Sequence, residues 1–73
     1  MSTGTVAEFD VNGQFGLIES DDGQIVLFNL KDASPALRNR FRVGRRVRFV
    51  EHREGLAPRA TALTPIENNE RAP

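Results

Sequence analysis

The stretch Phe15-Gly16-Leu17-Ile18-Glu19-Ser20-Asp21-Asp22-Gly23-Gln24-Ile25-Val26-Leu27-Phe28-Asn29-Leu30 decides the fold. Phe15–Ser20 and Ile25–Leu30 are short runs led by apolar side chains, and Asp21-Asp22-Gly23 between them is a tight-turn sequence. Short strands bounded by turn residues are an all-β signature. Gly16 inside the first run marks a bend or a point of close backbone approach. Upstream, Thr5–Val11 reads as another strand, joined by the turn pair Asn12-Gly13, which tolerates positive φ. These three strands form an antiparallel meander.

Downstream the pattern changes. Ser34-Pro35 is a helix-entry pair, with Ser as a cap and Pro at the first position, and Ala36–Arg40 completes one or two turns. Gly44 closes this connection. Val47–His52 is a fourth strand, with Val47, Phe49 and Glu51 on one face and Arg46, Arg48 and Val50 on the other. Gly55–Pro58 is a loop and Arg59–Leu63 a short fifth strand. From Thr64 onward nothing demands burial, and the chain reads as a frayed tail. Three meander strands, a longer connection and two more strands predict a five-stranded antiparallel barrel, with an open sandwich as the structural alternative.

At 73 residues there is room for one modest core, so stability is expected to be on the order of 5 kcal/mol. The absence of Cys and the presence of one His, His52, exclude a disulfide framework and an ordinary zinc site. There is no long apolar run and no charged-then-apolar leader, so a soluble cytoplasmic protein is expected. Net charge is zero, but residues 1–33 carry −5 and residues 34–63 carry +6. Nine of the ten basic residues are Arg, the side chain suited to phosphate forks and aromatic stacking. A basic half points to an anionic partner; equally, each half can neutralise the other within the fold.

The landmarks, taken in order, resemble the bacterial cold-shock domain, an OB-fold-like barrel, over residues 3–65, leaving 66–73 as a flexible tail. The family opens with Gly-x-Val and a Trp-Phe-Asn strand end; here stand Gly4, Thr5, Val6 and Glu8, Phe9, Asp10. Its K-G-F-G-F-I motif corresponds to Gly13, Gln14, Phe15, Gly16, Leu17, Ile18, and its V-F-V-H-F motif to Val26, Leu27, Phe28, Asn29, Leu30. The G-Q-x-V-x-F strand becomes Gly44, Arg45, Arg46, Val47, Arg48, Phe49, and G-P-x-A becomes Ala57, Pro58, Arg59, Ala60. The positions a barrel needs are kept. The departures fall where the family stacks bases: Glu8 for Trp, Leu17 and Leu27 for Phe, Asn29 for His and Leu30 for Phe. Phe15 alone keeps its aromatic ring there.

The resemblance implies binding of single-stranded RNA or DNA, without catalysis, by Phe15, Leu17, Leu27 and Asn29 at the bases and by Lys31, Arg38, Arg40 and Arg42 at phosphates. One stacked base is worth roughly 1–3 kcal/mol, so losing three stacks removes roughly 3–9 kcal/mol if they add. Leu17 and Leu27 offer apolar contact without a π-face, and Glu8 repels phosphate. Binding is therefore expected to be weak or of altered specificity. The alternative is a protein partner docked on the Leu17/Leu27 patch, or a patch covered by the loop or the tail. Phe9, Phe28, Phe41 and Phe49 are expected in the core, Phe28 standing where the family buries Val. The Arg series without interleaved aromatics is either a phosphate-binding flank or a solvated face. His52 is expected at a surface strand end, and Asp21 and Asp22 in a turn rather than at a metal. No Cys nucleophile and no partner that would orient His52 are in evidence, so no catalytic residue, cofactor, metal or membrane contact is expected.

Overall fold

Alternate residues of Phe15–Ser20 and Ile25–Asn29 face opposite ways, and this alternation sets the inside of the molecule. Gly16, Ile18, Ser20, Val26 and Phe28 are buried, while Phe15, Glu19, Ile25 and Leu27 are exposed. The computed structural model describes residues 2–10, 12, 14–53, 55 and 57–66. Its strands are β1 (Ser2–Asp10), β2 (Phe15–Ser20), β3 (Ile25–Asn29), β4 (Arg46–His52) and β5 (Arg59–Pro65). They close into an OB-fold-like barrel in the order β1-β2-β3-β5-β4.

The barrel is mixed, which corrects the expectation of a wholly antiparallel one. Four seams are antiparallel, but β3 and β5 run parallel through Leu27↔Arg59 and Phe28↔Ala60. The reason is parity: a closed ring with an odd number of strands cannot alternate direction all the way round. Strand β1 serves two neighbours. Ser2–Thr5 pairs with β4 and Gly4–Asp10 with β2, the register slipping between Val6 and Glu8 as the strand turns the barrel corner.

Several element ends differ from the sequence reading. Strand β1 begins at Ser2, and the expected end at Val11 lies outside the described residues, as do Gly13 of the first turn and Leu56 of the last loop. The positive φ of the β1–β2 turn falls on Gln14, at 60°. Strand β3 stops one residue early because the Asn29 side chain accepts the Lys31 N–H at 3.0 Å and starts a 3₁₀ turn, Leu30–Asp32. The Pro35–Arg40 segment is also 3₁₀ rather than α-helical, with Pro35 at its start. The Ser34 side chain makes no capping bond; its carbonyl instead accepts the Leu37 N–H at 2.9 Å.

Strand β5 continues past Leu63: Thr64 pairs with Arg48, Pro65 with Val47, and the Ile66 N–H donates to the Arg46 carbonyl at 2.9 Å. Fraying at Thr64 is therefore corrected, since ladder pairing needs backbone groups rather than apolar side chains. Residues 67–73 of the expected tail lie outside the described residues. No helix among the described residues is long and apolar enough to cross a membrane.

Phe49, Ile18, Val6, Val26 and Val47 are almost completely buried, each contributing roughly 1.5–3 kcal/mol. Phe28 is buried between Phe9 and Phe41, at ring-centre distances of 6.0 and 6.1 Å. The expected core set holds: Phe28, Phe41 and Phe49 are buried, and Phe9 is half-buried against the same cluster.

Candidate functional site

The outer face of β2 and β3 is unusually apolar. Phe15, Ile25 and Leu27 are 47%, 50% and 44% exposed, and half-buried Leu17 lies directly opposite Leu27. Extended along the ladders, this gives a continuous cross-strand row, Glu8–Leu17–Leu27–Arg59, over β1, β2, β3 and β5. A second row, Asp10–Phe15–Asn29, runs beside it. The face thus grades from acidic on β1, through apolar on β2 and β3, to basic on β5.

Two adjoining hollows mark this face. One, of about 300 Å³, is lined by Glu8, Phe9, Asp10, Phe15, Gly16, Leu17 and Leu27. The other, of about 280 Å³, is lined by Phe15, Leu27, Phe28, Asn29, Lys31 and Arg59. Phe15 and Leu27 form the ridge they share. Gly16 lets β2 pack closely against β1 and the core beneath the first hollow: a Cβ there would lie 2.2 Å from the Glu8 carbonyl oxygen and 2.8 Å from Phe28 Cε1.

Backbone bonds hold the hollow lined by Lys31 in shape. The Leu30 N–H donates to the Gln14 carbonyl at 2.8 Å, tying the β1–β2 turn to the end of β3. The Leu27 N–H donates to the Pro58 carbonyl at 3.2 Å, fixing the start of β5 beside it. Asn29 uses its side-chain oxygen on the Lys31 N–H, so the amide NH₂ is the group it can turn to a ligand.

Five expected site residues, Phe15, Leu17, Leu27, Asn29 and Lys31, come together here. Arg38 lies next to them but its guanidinium is committed inward, donating to the Ala33 carbonyl at 3.1 Å and the Lys31 carbonyl at 3.3 Å. It braces the segment that carries Lys31. Neither Arg40 nor Arg42 lines either hollow. Arg59, which the sequence reading left on a strand without a role, joins Lys31 instead; its signal lies in the parallel β3–β5 seam. Its guanidinium is 3.6 Å from Asp32 and 57% exposed.

The opposed charge of the two halves is partly spent inside the fold. Arg46 binds Asp21 at 2.7 Å and Arg59 meets Asp32, both pairs joining the basic half to the acidic one. Arg53 pairs with Glu51 at 2.9 Å and also donates to the Gln24 side-chain oxygen. Asp21 and Asp22 stand in the turn, as expected. The Arg46 guanidinium, followed by the Thr3 hydroxyl, holds the Asp21 carboxyl down to about 2, and the Ser20 hydroxyl lowers that of Asp22. His52 ends β4 at the surface, its Nε2 2.8 Å from Thr61 Oγ1. Among the described residues no three His, Asp or Glu side chains cluster as metal ligands would.

Among known proteins, no family model matches the chain and no curated protein matches it at a significant level. The architecture is that of a closed five-stranded OB-fold-like barrel with one apolar, charge-graded face.

Proposed function

We propose that the chain is a cold-shock-like module that binds single-stranded RNA or DNA weakly, through the Lys31 end of its outer β2–β3 face. One observation carries this reading: a single hollow is lined by an aromatic ring, an amide and two cations, from Phe15, Asn29, Lys31 and Arg59. Phe15 offers a face for one base, the Asn29 amide a donor to a base edge, and Lys31 and Arg59 the charge for flanking phosphates. Fold alone does not assign function, so the weight rests on this grouping and on the sequence landmarks.

The same geometry limits the site. Glu8 and Asp10 border the neighbouring hollow and repel phosphate, so a strand is held over one or two nucleotides rather than along the whole face. One stack worth roughly 1–3 kcal/mol with two phosphate contacts gives weak affinity that falls with salt. The test is an NMR titration with oligo-U and oligo-T at low salt. Amide shifts confined to Phe15, Asn29, Lys31 and Arg59 support the reading. No binding at high micromolar protein overturns it.

A further inference from the structure

The row Glu8–Leu17–Leu27–Arg59 has a property that a nucleic-acid site does not need. It reads acid, Leu, Leu, base across four adjacent strands, so its charge changes sign about the midpoint of the Leu17–Leu27 pair. Two such faces brought together by a two-fold axis lying in the interface, parallel to β2 and β3, superpose the row on its own reverse. Each Leu17 then meets the partner's Leu27, and each Glu8 meets an Arg59. A two-fold axis along the row instead would stack like charges. Self-complementarity of one patch is what a two-fold dimer requires.

We propose that this face is a homodimer interface, with a second copy of the chain as its occupant. Among the described residues, three of the four exposed large apolar side chains, Phe15, Ile25 and Leu27, lie on the outside of these two strands. The second row agrees in sign: Asp10 lies at its β1 end, and Lys31 follows Asn29 at the other. An oligonucleotide of uniform negative charge matches only the Lys31 and Arg59 side, whereas a second copy matches both sides. The dimer covers the hollow assigned above to nucleic acid, so the two exclude each other. Two-fold symmetry places two Glu8–Arg59 contacts in each dimer, and reversing one charge turns both into repulsions.

Sedimentation equilibrium on nuclease-treated protein, from micromolar to millimolar concentration, tests this independently of nucleic-acid binding. The expected result is reversible dimerisation, with isotope-filtered NMR contacts between Leu17 of one copy and Leu27 of the other. Glu8→Arg and Arg59→Glu each weaken self-association by roughly tenfold. Mixed together, the two variants form a heterodimer, because each supplies the charge the other lacks. Leu27→Asp abolishes association, and its exposed position keeps the fold as a control in case Arg59→Glu, next to Asp32, fails to fold. A wild-type chain that stays monomeric at millimolar concentration overturns the proposal. So do contacts mapping to another face, or variants that fail to associate on mixing while both remain folded.

Discussion

Arg46 on β4 grips the Asp21 carboxylate with both terminal nitrogens, at 2.7 and 3.0 Å, pinning the β2–β3 turn to the far side of the barrel. The Asp21 pKa is lowered from 3.8 to about 2, first by this bond and then by the Thr3 hydroxyl. A carboxylate with a depressed folded pKa stabilises above its unfolded pKa, and loses that contribution as pH falls through the folded one. The pair is half-exposed, so solvent screening keeps its worth at about 0.2–1 kcal/mol. Unfolding free energy should therefore decline between about pH 4 and pH 2. In Asp21→Asn that acid limb should flatten, as read by urea titrations at neutral and acid pH. An unchanged limb would remove Asp21 from the acid response.

Gly16 brings β2 against β1 under the candidate site. In Gly16→Ala the new methyl meets backbone at the Glu8 carbonyl oxygen and ring carbon at Phe28, and neither can swing aside as a flexible side chain can. Overpacking of this kind costs roughly 1–3 kcal/mol. Denaturant titration should show a lower midpoint. If the domain stays folded, amide shifts should spread to Glu8, Phe9 and Leu17, because the strands part beneath the apolar face. A midpoint matching wild type would refute the close-approach role.

The meander was legible because its information is local: alternation in Phe15–Ser20 and Ile25–Asn29, with Asp21-Asp22-Gly23 between them, fixes which side chains face inward. The apolar outer face followed from the same alternation, so Phe15, Leu17 and Leu27 were correctly grouped. The closure was harder to see. Arg59 reaches Leu27 only through a parallel seam between strands more than 30 residues apart, and nothing local to either strand encodes that partner. The role of the Arg loop is hidden for a related reason. Composition cannot tell a guanidinium turned to solvent from one folded back onto its own backbone, as Arg38 is onto Ala33 and Lys31.

Strand β5 carries a second feature hidden from alternation. Ala60 and Leu63 are both buried although three residues apart, because Ala62 and Leu63 together oppose Phe49 in a bulge. Ala62 sits at φ 53°, a left-handed conformation that costs a residue with a Cβ roughly 1–2 kcal/mol. Gly relieves that strain but loses roughly 0.5–1 kcal/mol to backbone entropy. Ala62→Gly should thus stabilise the barrel by about 0.5–1 kcal/mol. The check is a raised denaturation midpoint at constant m-value; a lowered midpoint would contradict the strain.

The two cations at the Lys31 hollow and those of the Arg loop should separate in a salt experiment. A single-stranded ligand loses about 0.7 in log–log salt slope for each phosphate contact removed. Lys31→Ala and Arg59→Ala should each flatten the oligo-U slope by about that amount. Arg42→Ala should leave it unchanged, since Arg42 borders neither hollow. Phe15→Ala should act differently, weakening binding by about 1–3 kcal/mol while keeping the slope, because stacking releases no counterion. Measuring fluorescence anisotropy across a salt series distinguishes these behaviours. Equal slope changes for Arg42 and Arg59 would mean that the phosphates reach the loop between the 3₁₀ segment and β4, and would extend the binding site off the β2–β3 face.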